Sequence, residues 1–215
     1  MIETATGLVL RIRPLTETSL IVYWLTADFG RLATVAKGAR RTGSPFAGKL
    51  DLFYRADFSF NRNRRSDLHL LREVKLRETH AVIREDLSRL RQGAYATALM
   101  ELATETETPL PAIYGLMSGF LKCLCLYPAS RQLIIALELK LLGEMGLAPN
   151  LAETNLGAGT KKAAKMLTQQ DLATGLRLKL TPAQSGELQQ FLHGFLIFHL
   201  GRLPRGRMAA LTEAA

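Results

Sequence analysis

One segment of the sequence has the spacing of a phosphate-binding loop. Residues 43–50 read GSPFAGKL, which matches the pattern GxxxxGK[ST] at every position except the last. The final hydroxyl of that pattern holds a Mg²⁺ ion, and Leu50 has none. The loop should also open a helix, whereas residues 51–60 have the pattern of a strand. The sequence therefore favours a flexible basic loop over a nucleotide-hydrolysing site, and loss of function on Lys49→Ala would favour the latter.

No other group of residues has the pattern of a catalytic or metal-binding site. Cys123 and Cys125 are two positions apart in an apolar helical run, which separates their side chains by about 200° and favours buried free thiols in a reducing compartment. The four histidines are scattered, and no serine or cysteine lies in a nucleophile motif. The glutamates of residues 101–107 are typical of a solvated acidic helix end. We therefore predict no catalytic residue, no metal and no cofactor.

The elements that must position any site fall into two parts. Residues 1–78 contain five short β-rich runs, separated by turn residues such as those at 28–30, and five strands in that length predict a small barrel or sandwich. The expected runs are Val9–Arg13, Leu20–Leu25, Leu32–Ala36, a fourth that includes Phe53, Phe58 and Phe60, and a fifth that includes Leu68, Leu70 and Val74.

From residue 79 onwards the apolar period is helical, so residues 79–215 are predicted as an α-helical domain. The first helix should bury the stripe Ile83, Leu87, Leu90, Ala94, Ala98 and Leu102. Further helices are expected from about Pro109 to before Pro128, over 133–145 and over 182–200, followed by a basic tail with Arg202, Arg205 and Arg207. The region near 150–180 is predicted as an irregular insertion. The fold class is therefore α+β, with the strands first and the helices after them.

The positive charge is concentrated in the strand-rich part. The chain carries 28 Lys and Arg against 19 Asp and Glu, a net charge of +9, and residues 31–65 hold nine basic residues and two acidic ones. A basic barrel with a glycine-rich loop and aromatic side chains favours binding of single-stranded nucleic acid, with phosphates supplying most of the affinity. The predicted DNA-binding residues are Arg31, Lys37, Arg40, Arg41, Lys49, Arg62, Arg64 and Arg65.

Two further expectations concern base contacts and location. The rings of Tyr23, Trp24, Phe29 and Tyr54 either stack on bases or fill the barrel core. The chain has no run of about 18 apolar residues free of charges and breakers, so neither export nor membrane insertion is expected. A cytoplasmic, nucleoid-associated protein is the resulting prediction.

Motifs along nearly the whole chain resemble the RecO family of bacterial recombination mediators. The similarity is carried by the following segments: GLVLR at 7–11, TETS at 16–19, LTADFGRL at 25–32, VAKGARR at 35–41, LELKLL at 137–142 with Gly146 and Pro149, and HLG at 199–201 with Pro204 and Arg207. Their order and spacing match those of the family.

The resemblance implies an oligonucleotide-binding (OB) barrel followed by a helical domain, with single- and double-stranded DNA as ligands. It also implies three protein partners: the single-stranded DNA-binding protein (SSB), RecR and, functionally, RecA, which the family helps to load onto coated strands. Arg131 and Lys140 are the candidates for binding the acidic tail of SSB. Many family members have four zinc-binding cysteines after the Gly-x-x-Pro segment, and residues 150–159 have none, so zinc is not expected. The alternative function is an adaptor whose basic surface binds acidic proteins.

Overall fold

The computed structural model describes residues 1–212, and its N-terminal part is a closed five-stranded barrel. The strands are β1 (Ile2–Pro14), β2 (Leu20–Thr26), β3 (Gly30–Ala36), β4 (Arg55–Asn61) and β5 (Leu68–Glu78). Their order around the barrel is β1-β2-β3-β5-β4. All neighbours are antiparallel except β3 and β5, which are parallel. The predicted barrel and the α+β fold class are confirmed.

Alternating side chains build the barrel core. Val22, Trp24 and Leu32 point inward from β2 and β3, where they pack with aromatic residues of β4. The rings of Trp24 and Phe58 stack with their centroids 4.2 Å apart. The Trp24 Nε1–H donates to Thr34 Oγ1 over 2.8 Å, so the indole nitrogen is satisfied although the residue is fully buried.

The fourth strand is shorter than predicted. It begins at Arg55, and the preceding Phe53 lies in a turn with a φ of 68°. Phe53 is nevertheless fully buried, and its N–H donates to Val9 O over 3.0 Å. An apolar residue at this position predicts a strand, but burial in a turn accounts for it equally well.

A segment distant in sequence completes the barrel. β3 pairs with β5 only through 33–35, so the first residues of β3 lack a partner in β5. Residues 103–110, here called the seam strap, lie along them. The Arg31 guanidinium donates to Thr104 O over 3.0 and 2.6 Å, and the Glu107 N–H donates to Arg31 O over 3.0 Å.

The chain divides into two compact units that differ from the predicted boundary. The barrel unit comprises 1–81 together with 103–115, and the helical unit comprises 82–102 together with the chain from 116 onwards. A division at residue 78 misses the return of the seam strap to the barrel. Residues 213–215 of the predicted second domain lie outside the described residues.

Eight α-helices are described after the barrel strands. They are α1 (Val82–Glu85), α2 (Leu87–Ala103), α3 (Pro111–Leu126), α4 (Arg131–Glu144), α5 (Ala158–Gln169), α6 (Leu172–Gly175), α7 (Pro182–Leu200) and α8 (Arg207–Leu211). A 3₁₀ turn covers Leu151–Glu153. The region near 150–180, predicted as irregular, is therefore largely helical. No helix within residues 1–212 is long and apolar enough to cross a membrane.

The buried side of α2 differs from the predicted stripe. The helix is continuous through Gly93, Leu87 is 61% exposed, and the buried side includes Gln92 and Tyr95. The Gln92 Nε2 donates to Ser130 O over 2.8 Å and to Ala210 O over 2.9 Å. The prediction failed because it counted apolar residues only, whereas these polar residues are buried with partners.

A buried ion pair connects α4 and α8. The Arg207 guanidinium donates to both carboxylate oxygens of Glu138 over 2.7 Å, and the Tyr95 hydroxyl donates to Glu138 Oε1 over 2.6 Å. Burial raises the pKa of Tyr95, so its hydroxyl stays protonated. Arg207 was expected in an exposed basic tail, and it is instead a core residue that fixes the last helix.

Candidate nucleic-acid interface

The outer surface of four barrel strands forms a continuous face, here called the basic face. Strand register places two rows of side chains across β1, β2, β3 and β5, opposite to the side that fills the core. The rows are Arg11, Tyr23, Ala33 and Leu68, and Arg13, Ile21, Val35 and Leu70. Each row has an arginine at one end, and neither contains a carboxylate. The face is therefore apolar in the middle and cationic at its β1 edge.

The two arginines of β1 were not among the predicted site residues. Arg13 is exposed, and the Arg11 Cζ lies 4.2 Å from the centroid of the Tyr23 ring. A guanidinium over an aromatic ring holds both groups in place, with the cation near the surface. The signal in the sequence is their position on either side of Ile12, because alternation turns Ile12 to the core and both arginines away from it. A register shift between Val9 and Arg11 explains why Val9 also faces the core.

The loop from Lys37 to Lys49, which the sequence predicts as flexible, consists of a chain of hydrogen-bonded turns. The Ser44 N–H donates to Arg41 O over 3.1 Å, and the Lys49 N–H donates to Phe46 O over 3.0 Å. Phe46 lies in the barrel core, 6% exposed, and pins the middle of the loop. Lys37, Arg40 and Arg41 are exposed, and none of them forms an ion pair with another residue of 1–212. The loop thus presents cations from an ordered backbone.

The same loop does not have the geometry of a nucleotide-binding loop. Residues 43–50 contain turns and are followed by further turns up to β4, so the segment opens no helix whose N-terminus could face phosphates. Among the described residues, no group of three or more His, Cys, Asp or Glu side chains could hold a metal ion.

Arg62 is committed to an internal ion-pair network. Its guanidinium donates to Glu3 over 2.8 and 3.2 Å and to Glu107 Oε2 over 2.8 Å. The hydrogen bond to Arg62 lowers the pKa of Glu3, and the hydrogen bond to Glu3 raises the pKa of Arg62. Arg31, bonded to the seam strap, is also engaged. Both were predicted to bind DNA, and in the structure both brace the barrel seam.

Glu107 is the second partner in that network and was misread as a solvated acid. Its Oε1 lies 2.8 Å from His69 Nε2. The Asn63 N–H donates to His69 Nδ1 over 3.2 Å, so Nδ1 is an acceptor and Nε2 carries the proton that Glu107 accepts. Glu107 holds a φ of 55°, which the surrounding contacts stabilise.

A groove of about 380 Å³ lies where the basic face meets the loop between β4 and β5. Its apolar lining residues are Val35, Leu68 and Leu70, and its polar lining residues are Lys37, Asn61, Arg62, Asn63 and His69. Arg64 and Arg65 follow in the same loop and are exposed. The structure therefore brings Lys37 close to this second loop, although 26 positions separate residues 37 and 63 in the sequence.

The four candidate stacking rings have different environments. Trp24 is fully buried in the core, and Phe29 and Tyr54 are half-buried against it. Tyr23 alone among the four lies on the basic face, half-buried, with the guanidinium of Arg11 beside it.

The opposite side of the barrel is polar and balanced in charge. Its rows are Thr6, Asp57 and Lys75, and Thr4, Ser59 and Glu73. Asp57 accepts hydrogen bonds from Arg77 and from Thr6, and these bonds lower its pKa. This side offers no excess of cations to a polyanion.

The two candidate residues for an acidic protein tail both make internal contacts in the helical unit. The Lys140 Nζ donates to Thr168 O over 2.8 Å, and burial lowers the pKa of this ammonium. The Arg131 Nε donates to Leu211 O over 3.1 Å.

The closed barrel, its basic face and the helices that follow define an OB-type barrel protein. Two family models match: Recombination protein O N terminal over residues 1–80 and Recombination protein O C terminal over residues 84–157. The chain belongs to this family, known as RecO.

Curated proteins named DNA repair protein RecO are similar to the chain. The protein of Exiguobacterium sibiricum is 33% identical over 153 residues, covering 70% of this chain and 60% of that protein. That of Rhodopirellula baltica is 39% identical over 48% of this chain and 38% of its own length. That of Alkaliphilus metalliredigens is 25% identical over 94% of this chain and 96% of its own length. The alignments with the first two relatives thus cover less than two thirds of those proteins.

Proposed function

We propose that this protein acts in DNA repair and recombination by binding single- and double-stranded DNA on the basic face and the adjoining loop. The observation that carries the proposal is the pair of residue rows across four strands, with Arg11 and Arg13 at one edge and Lys37 beside the other. An apolar surface bordered by cations suits a strand whose bases contact the middle while its phosphates follow the edges.

Annealing of complementary strands would follow from the same surface. Neutralising phosphates on one strand lowers the repulsion of a second strand, and base pairing then supplies the free energy. Membership of the RecO family supports a more specific role. The protein would help to load RecA onto single strands coated by SSB, together with RecR. The helical unit, in which Arg131 and Lys140 are engaged internally, would have to offer other residues to these partners.

The first prediction is that the double variant Arg40→Ala with Arg41→Ala binds DNA more weakly and with a smaller salt dependence, because it loses two phosphate contacts. Each lost phosphate contact on a single strand lowers the slope of log affinity against log salt by about 0.7, so the double variant should have a slope shallower by about 1.4. Fluorescence anisotropy of a labelled dT15 oligonucleotide over a salt series measures both slopes.

Arg202→Ala with Arg205→Ala is the matched control. Both arginines are exposed and lie outside the barrel unit, and the double variant removes the same charge. An equal change of slope in both double variants would show that only net charge matters and would refute the assigned surface. Absence of salt-dependent binding in the wild type would overturn the proposal and favour the adaptor function.

A further inference from the structure

The groove beside Lys37 contains a buried polar atom that the protein leaves unsatisfied. Asn61 ends β4, and its Oδ1 is buried with no hydrogen-bond partner within residues 1–212. A buried acceptor without a donor costs about 1–3 kcal/mol, so such an atom calls for an explanation. The neighbouring Asn63 is different, because its side chain is bonded to Leu68 O and to the Arg65 N–H.

Strand register places Asn61 at the end of the basic face. Asn61 is the Cα partner of Leu70, which continues the row of Arg13, Ile21, Val35 and Leu70 onto the fifth strand. Phe60 points into the core, so the alternation of the strand turns Asn61 outward. Its side chain lines the groove together with Val35, Leu68 and Leu70. The unsatisfied acceptor therefore stands beside three apolar side chains, and the groove is also lined by Lys37, Arg62, Asn63 and His69. Arg62 and His69 are already bonded to Glu3 and Glu107, whereas Lys37 is exposed.

We infer that this groove holds one unpaired nucleobase of a bound single strand, whose N–H group donates to Asn61 Oδ1; the inference rests on the proposed DNA binding. The apolar walls suit the faces of a base, and Lys37 suits the phosphate beside it. The volume of about 380 Å³ is within the range of small-molecule sites. The terminal torsion of asparagine is soft, so a small rotation turns Oδ1 towards the groove.

An acceptor at this position distinguishes single strands from duplexes without reading sequence. Each of the four bases has an N–H donor on its Watson–Crick edge, and in a duplex that edge is engaged by the opposite base. The groove therefore accepts any unpaired base and no paired one. Once two strands have annealed, the base leaves Asn61 and only phosphate contacts hold the product, which favours its release.

The second prediction is tested with Asn61→Ala and three probes: dT15, a 15-mer of the same backbone without bases, and a 15-base-pair duplex. The variant should bind dT15 about 3- to 10-fold more weakly, while its affinity for the base-free oligomer and the duplex stays as in the wild type. Asn155→Ala, the same change at an exposed position of the helical unit, should alter none of the three affinities.

Stability provides an independent measurement, because removal of an unsatisfied acceptor costs the fold little. Asn61→Ala should keep the wild-type melting temperature, and Asn61→Val, which continues the apolar row, should raise it. Unchanged dT15 affinity in both Asn61 variants would overturn the inference and leave the proposed function intact. An equal loss on all three probes would also overturn it. Failure of the wild type to bind any probe would overturn both.

Discussion

The residues that matter most at this site are distinguished by their partners and not by their charge alone. Arg62 and Arg41 have the same chemistry, yet Arg62 is held by Glu3 and Glu107, whereas Arg41 is exposed without an ion pair among the described residues. The sequence predicts a basic segment over residues 31–65. It could not tell the two kinds of arginine apart, because the acidic partners lie 59 and 45 positions away from Arg62.

The third prediction concerns acid stability. The pKa of Glu3 in the folded protein lies below its ordinary value of 4.5, because Arg62 binds its carboxylate. This contribution to the free energy of unfolding is therefore complete above about pH 4.5 and is lost as the pH falls through the lowered pKa. Glu3→Gln should cost about 1–2 kcal/mol at pH 7 and much less near pH 3.

Urea denaturation at both pH values, followed by circular dichroism, measures that difference. Glu17→Gln, a change at an exposed carboxyl in the loop after β1, is the control and should cost about nothing at either pH. If Glu3→Gln costs the same at pH 3 as at pH 7, the ion pair with Arg62 does not stabilise the fold.

At the scale of elements, the strands were predictable and the closure of the barrel was not. Runs rich in β-branched and aromatic residues predict β2 to within one residue and β3 to within two, because these residue types favour strands. The seam strap has no apolar period: it is irregular chain after α2, held by backbone bonds to β3 and by Glu107. Local patterns therefore predict residues 103–110 as part of the helical domain. Only their tertiary contacts with β3, which no local pattern predicts, make them part of the barrel unit.

The fourth prediction tests this closure at Gly30, where the seam strap passes close to β3. Gly30 has a φ of 62°, and a Cβ atom there would collide with the carbonyl group of Thr108. Gly30→Ala should therefore lower the free energy of unfolding by about 3 kcal/mol or more, from backbone strain and from displacement of the strap.

Gly43→Ala is the matched control, because Gly43 has a φ of 73° with open space where the Cβ would lie. It should cost only about 1 kcal/mol, the strain of the backbone alone. Equal losses in the two variants, measured by urea denaturation, would mean that contact with the strap contributes nothing to closure.

At the scale of the whole molecule, the net charge of +9 does not reveal that the two sides of the barrel differ in charge. One side of the barrel combines an apolar centre with Arg11, Arg13 and Lys37, whereas the opposite side pairs Asp57 with Arg77. Composition predicts a polyanionic partner, and strand register shows which side of the barrel has rows without a carboxylate. That step requires β3 to pair with β5, because residues 11 and 68 become members of one row only through the pairing of β1, β2, β3 and β5.

The most direct test of the basic face is photochemical cross-linking, our fifth prediction. A dT15 oligonucleotide that carries 4-thiothymidine, bound and irradiated, attaches to the side chains it touches, and mass spectrometry of the digested protein locates them. We expect cross-links at Tyr23, at 33–41 and at 61–70, with few at 57–59 and 73–77. Cross-links concentrated on the latter segments, or only in the helical unit, would contradict the placement of DNA on the basic face.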